Sequence, residues 1–427
     1  MAMNKKGLAV ALVAAAVAGA ADAGEGAIPE GIPSLNHVFV VMLENHGYGQ
    51  ILNNPNAPFL NKLATSANLA TNYYAVGHPS LTNYLEVVGG SNFGVQSDNA
   101  PDWHNSACQT NLSTGIAATD NPPTPRICPI HATGTDAATP SVDTTNEAQG
   151  APGENNIDGV DSIPAAGNTL GKTIADQLVA ANRSWKSYQE DLPAEGADKV
   201  DYSDGVFTNL TDFSVIQPAL NPPLTKSDIV QLYAVKHNPF VYFRSVQEGN
   251  DPRLGLNNSV PFDGPHGLYA DLRSGHVPSF AFIAPNQCND QHGRGNAGPF
   301  CNYDPSSDGQ QSGMNPALLI RADATAQKLI SAIKSSPAWR EGRNAIVVLW
   351  DENDYSVAPN TNQVMTIVET NYAAGGVMSG KRYTHFSLLK LLEAGFGLPC
   401  LNHACDDNVV VMSELFGGRR DGGSGHR

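Results

Sequence analysis

Three apolar runs that each end in a group of polar side chains constrain the fold of this chain more than any other feature. They are residues 38–43 (VFVVML), the strand-like segment 277–287 (VPSFAFIAPNQ) and residues 345–350 (AIVVLW). Unbroken apolar runs are typical of strands covered on both faces, whereas a half-exposed strand alternates. The segments between the runs have the apolar spacing of helices. The sequence therefore predicts an α/β fold with a central, mostly parallel sheet and helices on both faces.

The remaining elements follow from the same patterns. Helices are predicted within residues 57–76, 168–192, 317–339 and 382–399. Thr384 is placed to cap the last helix, and Gly395 or Gly397 lies near its end. Further strands are predicted at 185–188 and within 238–246 (NPFVYFRSV).

Residues 1–23 are predicted to be a cleavable secretory signal, because two lysines precede an apolar stretch that ends in Ala-Asp-Ala. An N-terminal membrane anchor is the alternative. Residues 24–416 are predicted to form one catalytic domain with an irregular insertion at about 100–168, which is rich in Pro, Thr, Asp, Asn and Gly. The Gly-rich tail, 417–427, is predicted to be disordered.

The composition is that of a globular protein, and the signal segment predicts that it is secreted or periplasmic. Of its 427 residues 41% are hydrophobic, and 41 acidic side chains outnumber 25 basic ones, which argues against a nucleic-acid surface. The six cysteines form three neighbouring pairs, and with an export signal they predict three local disulfides. These pairs are Cys108 with Cys128, Cys288 with Cys301 and Cys400 with Cys405. A thiolate metal site is the alternative, but no C-x-x-C pair supports it.

The polar groups at the strand ends are the candidate site, because ligands of α/β sheets bind beyond the carboxyl ends of the strands. The groups are Glu44-Asn45-His46, the stretch with Asp290 and His292, and Asp351-Glu352-Asn353-Asp354. Oxygen ligands of this kind suit Mg²⁺, Ca²⁺ or Mn²⁺, and nearby imidazoles would allow Zn²⁺. One such residue alone fits an Asx turn or a helix cap equally well, but three groups together favour a metal site.

Ser80 in "GHPSLTNYLEVVGG" precedes a predicted helix, where free N–H groups favour phosphate binding and an attacking alkoxide. Ser80 as a simple N-cap explains the same pattern, and the residues alone leave both interpretations open.

Six motifs between residues 41 and 393 resemble the secreted bacterial phosphoesterase family of acid phosphatases and non-haemolytic-type phospholipases C. They are "VMLENHGYGQIL", "GHPSLTNYLEVVGG", "KHNPFVYF", "PSFAFIAPNQCNDQHG", "VVLWDENDYS" and "RYTHFSLLKLLE". The resemblance implies a three-layer fold like that of the alkaline-phosphatase superfamily.

The resemblance also implies roles for particular residues. Glu44, Asn45, Asp351 and Glu352 would bind a divalent metal ion, although the family often has two aspartates where this chain has Asp351 and Glu352. Ser80 would be the nucleophile and Asn83 would contact the phosphoryl oxygens, with Thr82 and His78 as rival nucleophiles.

The same motifs place His237, Asp290 and His292 around the phosphate, where a histidine would bind phosphate or protonate the leaving alkoxide. The role of His385 stays open, and five further histidines are expected to be structural: His104, His131, His266, His276 and His403.

The function expected from this resemblance is phosphomonoester hydrolysis of the acid phosphatase type. The alternatives are a phospholipase C and a non-catalytic, metal-stabilised secreted protein. The expected partner is a phosphate ester, either a small molecule or a lipid head group, with membrane contact only for a phospholipase and no obligate protein partner. The EF-hand-like segment with Asp304, Ser306, Asp308 and Gly309 has Asn315 in place of the final Glu, and we expect an ordinary loop.

Overall fold

The computed structural model describes residues 25–78, 80–93, 172–192, 232–243, 245–246, 249–294, 300–306, 311–353 and 362–417. The predicted signal segment, the insertion at about 100–168, the Cys108–Cys128 pair and the tail after Gly417 lie outside these residues. One catalytic domain over residues 24–416 stays a prediction.

The described strands form an eight-stranded sheet in the order β5-β4-β6-β1-β7-β8-β2-β9. Their bounds are β1 His37–Leu43, β2 Asn68–Ala70, β4 Trp185–Gln189, β5 Ser259–Pro261, β6 Phe280–Ala284, β7 Asn344–Trp350, β8 Thr366–Thr370 and β9 Met378–Ser379. Strands β3 Tyr73–Tyr74 and β10 Tyr383–Thr384 form a separate two-stranded sheet. Most pairings in the large sheet are parallel, and β8 runs antiparallel to β7 and β2.

The three central strands β6, β1 and β7 are covered on both faces, as their sequences predict. From Val38 to Leu43 and throughout β6 and β7 each residue is buried. The described helices are α1 Tyr48–Ile51, α2 Pro58–Ser66, α3 Ser80–Gly89, α4 Ile174–Ala180, α5 Leu268–Ser274, α6 Pro316–Ser335 and α7 His385–Phe396. Helix α6 contacts α2 and α5, while α3, α4 and α7 contact one another. The predicted α/β fold is therefore confirmed.

Local chemistry sets several helix ends. Asn315 caps α6 by accepting a hydrogen bond from Ala317 N at 3.0 Å. Asp323 of α6 accepts hydrogen bonds from the N–H groups of Phe59 and Leu60 and so fixes the start of α2. Helix α7 begins after Thr384 and is followed by Gly397, whose φ of 70° is the left-handed conformation that favours glycine.

The predicted strand at 238–246 is wrong. Pro239–Tyr242 is a 3₁₀ helix, with hydrogen bonds from Val241 N to Asn238 O and from Phe243 N to Phe240 O. Proline lacks the N–H that a ladder needs and has the φ of a helix start. Phe240 lies against Trp185, with ring centroids 4.5 Å apart, so aromatic packing on the sheet buries this apolar segment.

Two of the three predicted disulfides lie in the described residues, Cys288–Cys301 and Cys400–Cys405. The first joins the segment that carries Asp290 and His292 to the loop before α6. In the described part of the chain each helix is too short or too polar to cross a membrane.

Candidate active site

The three polar groups meet at one edge of the sheet because β1 lies between β6 and β7. Glu44 N donates to Asp290 O at 2.8 Å, and Asp351 N donates to Leu43 O at 3.0 Å. Asn45 has a φ of 47°, a left-handed conformation that asparagine tolerates better than most residues. Its N–H donates to Asp351 Oδ1 at 2.9 Å. The predicted meeting of these strand ends is confirmed by this geometry.

Ser80 lies among oxygen atoms from two of these groups. Its Oγ is 3.1 Å from Glu44 Oε2, 3.2 Å from Asn45 Oδ1 and 3.3 Å from Glu352 Oε1. A hydroxyl has one proton to donate, so it satisfies one of these acceptors at a time. These contacts are with side chains of the site, and Ser80 is the first residue of α3 rather than the residue that precedes it.

Helix α3 directs three side chains towards the carboxylates, because positions i, i+3 and i+4 share one helix face. Besides Ser80, Asn83 Nδ2 donates to Glu352 Oε2 at 3.0 Å, and the Tyr84 hydroxyl donates to Glu44 Oε1. Asn83 also donates to Gly77 O at 2.8 Å and accepts from Gly77 N at 2.9 Å. Asn83 therefore anchors the segment before α3 and orients Glu352.

His78 and Thr82, the rival nucleophiles, are both buried. His78 Nδ1 lies 2.9 Å from Glu352 Oε2, so this histidine contacts a predicted metal ligand.

His237 lies between two carboxyl groups. Its Nε2 is 3.2 Å from Glu44 Oε1, and its Nδ1 is 3.3 Å from Asp290 Oδ2. The ring stacks on Tyr84 with centroids 5.2 Å apart and planes 8° from parallel. Burial, Lys236 and His292 hold the pKa of His237 well below its usual range. A neutral imidazole in this position is a metal ligand or a hydrogen-bond partner rather than a cation.

Four buried carboxyl groups converge on the site, those of Glu44, Asp290, Asp351 and Glu352. Burial and repulsion by neighbouring carboxylates raise the pKa of Glu44 and of Asp290, and they raise the pKa of Asp351 to about 8. Asp351 Oδ2 has no hydrogen-bond partner among the described residues. A divalent cation would satisfy these oxygens in place of protons, so the side chains present fit a metal ion.

The candidate metal site includes more potential ligands than the four that the sequence predicts. Ligand atoms of Glu44, His237 and Asp290 lie within 4.8 Å of one another. This trio shares Glu44 with the predicted set of Glu44, Asn45, Asp351 and Glu352, whose oxygens surround Ser80.

Besides Tyr84, the sequence analysis missed Lys236 as a site residue. Its Nζ lies 3.5 Å from Ser80 Oγ and 3.3 Å from His292 Nε2. His292 donates its Nδ1 proton to Gly293 O at 2.7 Å, which leaves Nε2 to accept from Lys236. The available signal was its place beside His237 in the "KHNPFVYF" motif.

His385 is behind the site rather than in it. Its Nε2 donates to the main-chain oxygen of Asp351 at 2.6 Å, and its Nδ1 accepts from the Tyr73 hydroxyl at 3.0 Å. Burial lowers the pKa of His385 to about 4, so it stays neutral. It positions the segment that carries Asp351.

Two residues that were not expected to take part in catalysis, Asp304 and His403, contact neighbouring polar groups. Asp304 of the EF-hand-like segment accepts from Asn315 N at 2.7 Å and lies 3.0 Å from His46 Nε2. His403 lies 2.9 Å from Asp406. Asp308 and Gly309 are outside the described residues.

Several known proteins are similar to this chain along most of its length. An Aspergillus fumigatus protein named acid phosphatase is 24% identical over 385 residues, 90% of this chain and 60% of that protein. This chain thus spans about three fifths of that relative's length. A Mycobacterium tuberculosis protein named phosphatidylinositol-3-phosphatase is 23% identical over 399 residues, 92% of this chain and 88% of that protein.

A solved structure of an alkaline phosphatase superfamily protein from Vibrio parahaemolyticus is 11% identical, with a TM-score of 0.41 over 88% of this chain and 69% of that one. The model of the Phosphoesterase family matches residues 50–300, which is more than half of the chain, and agrees with the resemblance of the sequence motifs. The chain therefore belongs to the Phosphoesterase family.

Proposed function

We propose that this protein is a metal-dependent phosphomonoesterase that uses Ser80 as its nucleophile. The observation that carries the proposal is the position of Ser80 Oγ within 3.3 Å of oxygen atoms from Glu44, Asn45 and Glu352. Family membership and relatives named as phosphatases support hydrolysis of phosphoric esters.

A divalent cation held by Glu44, Asn45, Asp351 and Glu352 would lower the pKa of the Ser80 hydroxyl and neutralise charge on the phosphoryl group. His237 and Asp290 are the further candidate ligands because they share Glu44 with this set.

The reaction has two steps, transfer of the phosphoryl group to Ser80 and its hydrolysis. Ser80 Oγ forms a bond to phosphorus while the ester P–O bond breaks, and Glu44 Oε2 is placed to accept the Ser80 proton. The leaving alcohol takes a proton from a histidine, for which His237 and His292 are the candidates. Water then cleaves the phosphoseryl group and releases phosphate. Asn83 holds Glu352 and the turn before Ser80, and its contact with the phosphoryl oxygens stays a prediction.

We also propose that the protein acts outside the cytoplasm. The two disulfides in the described residues are consistent with an oxidising compartment. The secretory signal at 1–23 stays a prediction from the sequence.

The test compares p-nitrophenyl phosphate with p-nitrophenylphosphorylcholine, with and without EDTA, followed by addition of Mg²⁺, Ca²⁺, Mn²⁺ or Zn²⁺. We expect preference for the monoester, loss in EDTA and recovery with one of the metals. Preference for the diester would support the phospholipase C alternative instead. No turnover of either compound, or of phosphatidylinositol 3-phosphate, would favour the non-catalytic alternative.

A further inference from the structure

Lys236 brings a positive charge to Ser80, the proposed nucleophile, at a site that is otherwise rich in carboxyl groups. Its Nζ lies 3.5 Å from Ser80 Oγ, and its charge also acts on Glu44, Asp290 and Asp351, whose pKa values it lowers. The lysine belongs to the short 3₁₀ helix Val235–His237, which contacts α3. The ammonium group of Lys236 therefore lies beside the first turn of α3, where a phosphoryl group bound at Ser80 would lie.

The charge of the substrate decides what this lysine contributes. Near neutral pH a phosphomonoester carries close to two negative charges, whereas a phosphodiester carries one. A cationic group beside buried side chains attracts the second charge strongly, and the four carboxyl groups repel it. Lys236 thus favours the more highly charged ester, provided that it contacts the phosphoryl oxygens.

We infer that Lys236 is a catalytic residue that binds a non-bridging phosphoryl oxygen at Ser80 and makes the site select phosphomonoesters over phosphodiesters. This inference rests on the proposed function. A lysine that merely balances the carboxyl groups would affect both ester classes equally.

The test uses Lys236→Met, which removes the charge, and Lys236→Arg, which keeps it. Lys334→Met is the matched control, because Lys334 is an exposed lysine on α6 that pairs with Glu369. Each protein, with its metal content matched, is assayed on p-nitrophenyl phosphate and bis(p-nitrophenyl) phosphate. Binding of inorganic phosphate is measured separately by calorimetry.

For Lys236→Met we expect kcat/KM to fall roughly 100-fold for the monoester and about tenfold for the diester, together with weaker phosphate binding. Lys236→Arg should keep the ratio of the two substrates within about threefold of the wild-type ratio, and Lys334→Met should change neither ratio nor phosphate binding. Equal losses on both substrates, or phosphate binding that is unchanged in Lys236→Met, would overturn the inference.

Different measurements test the proposed function and the role of Lys236. Wild-type protein that hydrolyses neither ester would refute the proposed function, while phosphate binding that is equal in wild type and Lys236→Met would refute the role of the lysine. If Lys236→Met does not fold, Lys236→Gln serves in the same comparison.

Discussion

His78 Nδ1 lies 2.9 Å from Glu352 Oε2, on the carboxylate whose other oxygen faces Ser80. This contact leads us to predict that His78 positions Glu352, a predicted metal ligand, rather than acts as the nucleophile. Asn83 Nδ2 also donates to Glu352 Oε2 at 3.0 Å, so two side chains hold this carboxylate.

His78→Gln should therefore weaken activity without abolishing it. We expect metal affinity and kcat to fall by roughly 10- to 100-fold, because an outer-shell partner is lost. Metal titration and steady-state kinetics check this, and excess metal should restore part of the activity. Complete loss of activity at saturating metal would make His78 a candidate nucleophile again.

Ser80→Ala should lower kcat by about 1,000-fold or more, because the group that attacks phosphorus is removed. The melting temperature should stay close to that of the wild type, since the hydroxyl is one donor among several acceptors. Thr82→Val, which removes the rival hydroxyl at nearly constant volume, should retain activity. Full activity in Ser80→Ala would remove Ser80 from the mechanism.

Asp351→Asn should lower metal occupancy, which elemental analysis of the purified protein measures directly. Protons compete with the cation, because the pKa of Asp351 is raised to about 8 and those of Glu44 and Asp290 are also raised. Apparent metal affinity should therefore fall as the pH falls from 8 to 5. Unchanged metal content in Asp351→Asn would show that Asp351 is not a ligand.

His385→Phe should destabilise the protein by roughly 1–3 kcal/mol, because the main-chain oxygen of Asp351 loses a buried hydrogen-bond donor. Tyr73→Phe removes only the hydroxyl that donates to His385 Nδ1, and it should lower the free energy of unfolding by about 1 kcal/mol. Urea denaturation of both variants gives these values. A His385→Phe protein as stable as the wild type would show that this hydrogen bond contributes nothing.

Asp191→Asn should stabilise the protein at pH 8 more than at pH 4. Burial and Glu190 raise the pKa of Asp191 from 3.8 to about 7, so the folded state holds its proton more tightly than the unfolded state. The stabilising contribution is complete below pH 3.8 and is lost as the pH rises through about 7.

Asparagine keeps the acceptor for Asn286 Nδ2 and suits the positive φ of 61° at this position. We expect a gain of roughly 1 kcal/mol at pH 8 in urea denaturation. Asp407→Asn, at an exposed position, is the control. An equal gain at both pH values would contradict the titration of Asp191.

The sheet and the place of the site were predictable because they depend on local patterns. The runs that form β1, β6 and β7 are apolar without interruption, and the rule that sites lie beyond strand ends then locates Glu44, Asp290 and Asp351. The failure at Pro239–Tyr242 shows the limit of this approach, since aromatic packing against Trp185 decided the conformation of an apolar segment that resembles a strand.

The contacts within the site were not predictable from local patterns. Ser80 and Glu352 are 272 residues apart in the chain, and no spacing rule relates them. Lys236 was missed because a lysine beside a histidine is ordinarily a solvated side chain, and its significance depends on the approach of α3. His385 could not be distinguished from a site histidine, because its partner is a main-chain oxygen.

The placement of Ser80, Asn83 and Tyr84 on one face of α3 makes the site sensitive to chain length as well as to side-chain identity. Each residue of an α-helix turns the face by about 100°, so one residue inserted between Ser80 and Asn83 would direct Asn83 and Tyr84 away from Glu352 and Glu44. A substitution in this turn alters the contacts of one side chain, whereas such an insertion would displace two side chains at once. Natural length variation in such proteins should therefore fall outside this turn.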